Sequence, residues 1–121
     1  MPLREEVSIL SRTKGVCLAA AMAACLAAAA PPAHAACYEM IGCTDSDYFC
    51  DGDLMRFSCQ ILWEVRNTMY KERGYCFHTA RAIAAFGNAG CRYDNEADVP
   101  LSRVERANVS AIVRVERAKG C

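Results

Sequence analysis

Apolar and polar positions follow a helical period in three stretches of the second half of this chain. The first opens at Ser58, which can cap free N–H groups, and runs through Ile61, Leu62, Trp63, Val65, Met69 and Tyr70 to Gly74. Leu62, Val65, Arg66 and Met69 recur three and four residues apart, which places them on one face. Gly74 suits the left-handed turn that ends helices. A shorter helix is predicted from Thr79, a good N-cap, through Ala80, Ile83, Ala84 and Phe86, and the run Gly87-Asn88-Ala89-Gly90 stops it in a loop.

The last helix has the clearest start. Ser102-Arg103-Val104-Glu105 is a capping box, in which the serine hydroxyl accepts from the Glu105 N–H and the Glu105 side chain reaches back to the Ser102 N–H. Val104, Ala107, Ala111, Val115 and Ala118 then predict an apolar stripe, flanked by Val109, Ile112 and Val113, with Lys119-Gly120 closing it. Arg114, Arg117 and Lys119 sit where the negative end of the helix favours cations. The predicted fold class is all-α: a small domain of about three helices behind an irregular N-terminal segment.

The beginning of the chain has a different pattern. From Val16 to Ala30 every residue is apolar, behind Arg4, Arg12 and Lys14 and ahead of Pro31, Pro32 and the A-x-A sequence Ala33-His34-Ala35. This is the order of a signal peptide cleaved after Ala35, which would place the mature protein in the periplasm or outside a bacterium. The run is shorter than the roughly 20 residues that span a bilayer, so no membrane span is expected after cleavage. Lipid anchoring at Cys25, within Met22-Ala23-Ala24-Cys25, is a minor alternative. The chain thus divides into a signal peptide (1–35), an acidic cysteine-containing segment (36–58) and a helical region (59–121).

That division makes the cysteines informative. Of nine, seven follow the signal: Cys37, Cys43, Cys50, Cys59, Cys76, Cys91 and Cys121. In an oxidising compartment they become disulfides, and a domain this small, with a marginal core, gains about 2–4 kcal/mol from each. Zinc would need knuckle spacing; there is no C-x-x-C, and His78 is the one histidine after Ala35. The missing motif also argues against thioredoxin-type chemistry. No metal site and no cofactor are expected.

Charge restricts the partners less. Lys and Arg number 14, as do Asp and Glu, but Glu39, Asp45, Asp47, Asp51 and Asp53 fill residues 36–53 without a cation. No basic stripe forms, so nucleic acid is not an expected partner. Four carboxylates between Asp45 and Asp53 suggest calcium, yet Asp47 as first ligand would put Phe49 third, and the EF-hand order fails. Acids that are solvated or face the basic helices are the preferred reading. Neither G-x-S-x-G nor H-E-x-x-H occurs.

The blocks Leu62-Trp63, Arg66-Asn67 and Tyr70-Lys71-Glu72-Arg73-Gly74-Tyr75, then Cys76-Phe77-His78-Thr79-Ala80-Arg81-Ala82-Ile83 and Phe86-Gly87-Asn88-Ala89-Gly90-Cys91, carry a resemblance. Over about residues 59–121 the chain resembles the YARHG domain, a family of small, presumed extracellular bacterial domains named for a Tyr-Ala-Arg-His-Gly motif. The family has no established activity. Tyr70 and Gly74 match the motif, whereas Lys71, Glu72 and Arg73 replace its centre, so the motif histidine is absent and no role passes to His78.

Within the family-like region, Cys59, Cys76, Cys91 and Cys121 would make two bridges tying the helices together. Cys37 and Cys43 bracket a short loop and would make a third, which nominates Cys50 as a free thiol able to form an intermolecular disulfide. Tyr70, Arg73, His78 and Arg81 are the candidate binding residues. Arg66, Arg73 and Arg81 could converge on an anion, although pairing with Glu64, Glu72 or the acidic segment explains them more simply. The favoured function is a non-enzymatic binding or structural module of the envelope or extracellular space; the alternative is a small secreted hydrolase-like enzyme using His78.

Overall fold

The computed structural model describes residues 35–121; the expected signal peptide and the Cys25 anchor lie outside the described residues. Strands β1 (Cys37–Tyr38) and β2 (Gly42–Cys43) pair antiparallel, Cys37 opposite Cys43. Four helices follow: α1 (Asp51–Leu54), α2 (Cys59–Glu72), α3 (Ala80–Phe86) and α4 (Arg103–Lys119), with a single 3-10 turn at Glu96–Asp98 before α4. The chain is therefore mostly helical, and the all-α expectation needs one correction. The N-terminal segment contains a two-stranded hairpin and a short helix. Two-residue strands are too short to show a period of two in the sequence; the hairpin closes because Gly42 adopts φ +98° and a disulfide joins Cys37 to Cys43.

The longer helices start where their caps predict. The Ser58 hydroxyl accepts from the Ile61 N–H at 3.2 Å and the Thr79 hydroxyl from the Ala82 N–H at 3.1 Å. The capping box is complete: the Ser102 hydroxyl accepts from the Glu105 N–H at 3.1 Å, and Glu105 accepts from the Ser102 N–H at 2.8 Å. Gly120 ends α4 in the left-handed conformation.

Helices α2 and α4 run antiparallel and are joined at three levels. A disulfide links Cys59 to Cys121 at one end, Arg66 pairs with Glu116 midway, and Arg73 pairs with Glu105 at the other end. Cys59, Arg66 and Arg73 are spaced by seven residues, so they follow one stripe of α2. Leu62, Val65 and Met69 of α2 meet Ala111, Ile112 and Val115 of α4 in the core. Ile41, Phe49 and Leu54 cover it from the N-terminal segment, and Phe77, Ala82, Val99 and Leu101 from the remaining chain.

The buried face of α4 is rotated from the predicted stripe. Ala111 and Val115 are buried as expected, but Val104 and Ala107 are half-buried and Ala118 is exposed. Glu105 and Asn108 take the inward positions instead. Hydrophobic periodicity missed them because both are polar, and both are buried because their hydrogen bonds are satisfied inside. Asn108 accepts from the Phe49 N–H at 2.8 Å and donates to the Thr44 and Asp47 carbonyls at 3.1 and 2.8 Å. These are backbone groups of a loop that lacks a strand partner there, so one side chain supplies what a sheet otherwise would.

A third disulfide joins Cys76 to Cys91. Cys50 is disulfide-bonded as well, so it is not the free thiol expected, and the sulfur nominated for an intermolecular bond is already engaged. The expectation arose because seven cysteines follow residue 35, an odd number, and the family-like region with the short Cys37–Cys43 loop accounts for six of them. Of the three bridges between Cys37–Cys43, Cys59–Cys121 and Cys76–Cys91, the second closes the longest loop, with a sequence separation of 62. On the chain-entropy model it contributes about 4 kcal/mol.

Replacing Asn108 leaves three backbone groups without partners. Asn108→Ala is expected to lower the unfolding free energy by roughly 3–5 kcal/mol, seen as a lower urea midpoint, while exposed Ala118→Ser changes it by less than about 0.5 kcal/mol. Equal midpoints for the two variants would contradict this role.

Candidate functional site

The residues matching the named motif sit at the end of α2 and are mainly structural. Tyr70 is buried, its ring centroid 5.6 Å from that of Tyr75, and its carbonyl accepts from the Arg73 and Tyr75 N–H groups. Burial, followed by the charge of Glu96, raises the Tyr70 phenol above its ordinary pKa. Gly74 adopts φ +94°, and its carbonyl accepts from the N–H groups of Arg92 and Tyr93 at 2.7 and 3.0 Å. The turn is thereby tied to the segment that carries Cys91.

Arg73, at the position of the motif histidine, donates from Nε to both oxygens of Glu105, at 2.9 and 3.1 Å. It pairs with neither Glu72 nor the acidic segment. The Glu105 side chain is only 2% exposed, and it also caps α4, so one carboxylate joins the end of α2 to the start of α4.

His78 stands apart from this cluster. It is exposed, with Nε2 2.9 Å from the Asp94 carbonyl oxygen and its ring edge-on to Tyr75. A carbonyl only accepts, so Nε2 carries the proton in this contact. No hydroxyl or thiol is hydrogen-bonded to His78 among the described residues.

Two of the four acids of residues 45–53 are also engaged. Asp51 forms a two-bond pair with Arg114 of α4, and Asp47 accepts from the Cys43 N–H at 2.7 Å. Among the described residues, no group of three or more His, Cys, Asp or Glu is placed to hold a metal ion.

A groove of about 670 Å³ brings the remaining candidates together. It lies between the first half of α2, the first turn of α3 and the end of α4, beside the Cys59–Cys121 bridge. Trp63 stands in its wall, braced by Phe86 at a centroid distance of 5.7 Å. The Arg81 guanidinium carbon lies 3.8 Å from the Trp63 ring centroid, and Arg81 donates to Gln60. Arg66 is held by both oxygens of Glu116, at 2.9 and 3.1 Å.

Arg66 and Arg81 therefore do converge, and Arg73 does not. Arg117 takes its place as the third cation of the groove. In the sequence Arg117 is explained by the helix dipole; the antiparallel register of α2 and α4, held here by Cys59–Cys121 and Arg66–Glu116, brings the end of α4 beside Trp63. Three guanidinium groups and one acidic side chain, Glu116, line the groove around an indole. Such a site can bind anions and stack apolar or planar groups, and its lining includes no acid-base pair.

A smaller polar depression of about 350 Å³ is lined by residues including Lys71, Glu72, Arg73 and Arg92. The Glu72 carboxyl is pushed up to about 7, mainly by burial and further by Glu105 and Asp45, with Arg73 opposing. The ordinary value is 4.5, so between pH 4.5 and about 7 the folded protein holds a proton that the unfolded chain releases. Stability from this group is present at low pH and is lost as pH rises through that window. Glu72→Gln should match wild type in thermal stability near pH 4 and exceed it above pH 7; a constant difference across the range would contradict the assignment.

Among the described residues, no helix is long and apolar enough to cross a membrane. Comparison with curated proteins gives no match, and comparison with solved structures gives none either. The family model of the YARHG domain matches residues 37–117, from β1 almost to the end of α4. A match over well more than half of the sequence, spanning both the hairpin and the α2–α4 pair, establishes that the chain belongs to the YARHG domain family.

Proposed function

We propose that this YARHG domain is a non-enzymatic binding module that works in the periplasm or outside the cell and holds an envelope or extracellular component in the Trp63 groove. Export is supported by the apolar run ahead of Ala33-His34-Ala35 and by the use of cysteine in disulfides. The observation that carries the binding role is the convergence of Trp63, Arg66, Arg81 and Arg117 on one concave surface. Its volume lies within the usual range for small-ligand sites, about 300–1,000 Å³.

The chemistry of the candidate residues favours binding over turnover. Tyr70 is packed in the core, and Arg73 is committed to Glu105. His78 faces a backbone carbonyl, with no nucleophile attached to it in the described residues.

Trp63 is the one tryptophan of the chain, so its emission reports on the groove. Purified protein titrated with separated envelope fractions (soluble cell-wall fragments, lipids and periplasmic peptides) should show a saturable change with at least one fraction. Arg81→Ala should weaken that response, and His78→Ala should leave it intact. A chain that binds none of the fractions, or whose response survives Arg81→Ala unchanged, would overturn the reading.

A further inference from the structure

We infer that the ligand of the Trp63 groove is an organic carboxylate with an apolar body, its charged end held by Arg117 and Arg81. This rests on the binding role proposed above and names the chemistry of that site. The first support is the charge left over after internal pairing. Arg66 is neutralised by two bonds to Glu116. The Arg117 side chain forms no hydrogen bond or ion pair among the described residues, and Arg81 spends one amino group on the neutral Gln60. Two guanidinium groups therefore line the groove without a carboxylate of their own.

The second support is shape. Arg81 lies over the Trp63 indole, so its position is set by the ring contact as well as by Gln60. A guanidinium fork presents parallel N–H donors that match the two oxygens of a planar carboxylate. Beside these donors the groove is lined by apolar residues: Val113, Trp63 and the Cys59–Cys121 bridge. A small aliphatic or aromatic group fits there, adjacent to the anion.

Glu116 also lines the groove but is already bound to Arg66, so the charge open to a ligand is that of Arg81 and Arg117. Free organic acids and the carboxy termini of short peptides share the required chemistry.

Five probes test this through Trp63 emission at low salt: N-acetyl-phenylalanine, its neutral amide, phenyl phosphate, and a glycyl-glycyl-phenylalanine peptide with either a free or an amidated end. The acid is expected to bind at least about tenfold more tightly than the amide, the range of one charge-assisted contact. Arg117→Gln should reduce acid binding by about tenfold or more and leave amide binding unchanged. Arg117 is exposed and its side chain makes no bonds among the described residues, so unaltered circular dichroism is expected of that variant.

Tighter binding of the free-ended peptide than of the acid supports the inference with a peptide terminus as source; the reverse order supports it with a free acid. Equal binding of acid and amide overturns the carboxylate while leaving the groove a binding site. Tighter binding of phenyl phosphate also overturns it. If no probe and no envelope fraction changes Trp63 emission, both the carboxylate and the binding role fail.

Discussion

The antiparallel packing of α2 against α4 is the constraint on which the other features depend. An apolar interface of Leu62, Val65 and Met69 against Ala111, Ile112 and Val115 supplies the burial, but apolar surfaces alone tolerate sliding. The disulfide at one end, Arg66–Glu116 midway and Arg73–Glu105 at the other end fix the register. The three are unequal. The disulfide restricts the unfolded chain, Arg66–Glu116 is partly exposed, and Arg73–Glu105 involves a carboxylate only 2% exposed. Losing Arg73 would leave Glu105 buried without its cation, which costs far more than breaking a surface pair.

Two polar residues on the inner face of α4 extend this order to the rest of the chain. Glu105 joins the helix start to the end of α2, where the family motif lies. Asn108 supplies hydrogen bonds to the backbone between Thr44 and Phe49, and so seats the hairpin and the short α1 on the core. Buried polar side chains of this kind are useful only when every partner is in place. No buried side-chain nitrogen or oxygen of the described residues lacks one.

Sequence reasoning recovered the features with a local cause. Ser58, Thr79 and the Ser102–Glu105 box cap their helices, and Gly120 stops the last one, because each acts within a few residues of itself. Features fixed over long separations were less legible. The burial of Asn108 depends on carbonyls about sixty residues away, and the partners of Arg66 and Arg73 lie on a helix whose register the sequence does not state. The bonded state of Cys50 was not legible, because no spacing near it in the sequence assigns it a partner. Trp63, Arg66 and Arg81 carry the groove, and of these Trp63 was not legible as a binding residue, since an aromatic on an apolar helix edge is ordinarily core.

The groove is a consequence of the same register, because the Cys121 bond brings Arg117 to the side of α2 that carries Trp63. The pairing of Cys59 with Cys121 is therefore the central claim, and a peptide map under non-reducing conditions tests it most directly. Trypsin should release Phe57–Arg66 joined to the peptide that begins at Gly120 and carries Cys121, and separately Gly74–Arg81 joined to Ala82–Arg92. Recovery of Phe57–Arg66 bonded to either the Cys76 or the Cys91 peptide would contradict the register and the groove with it.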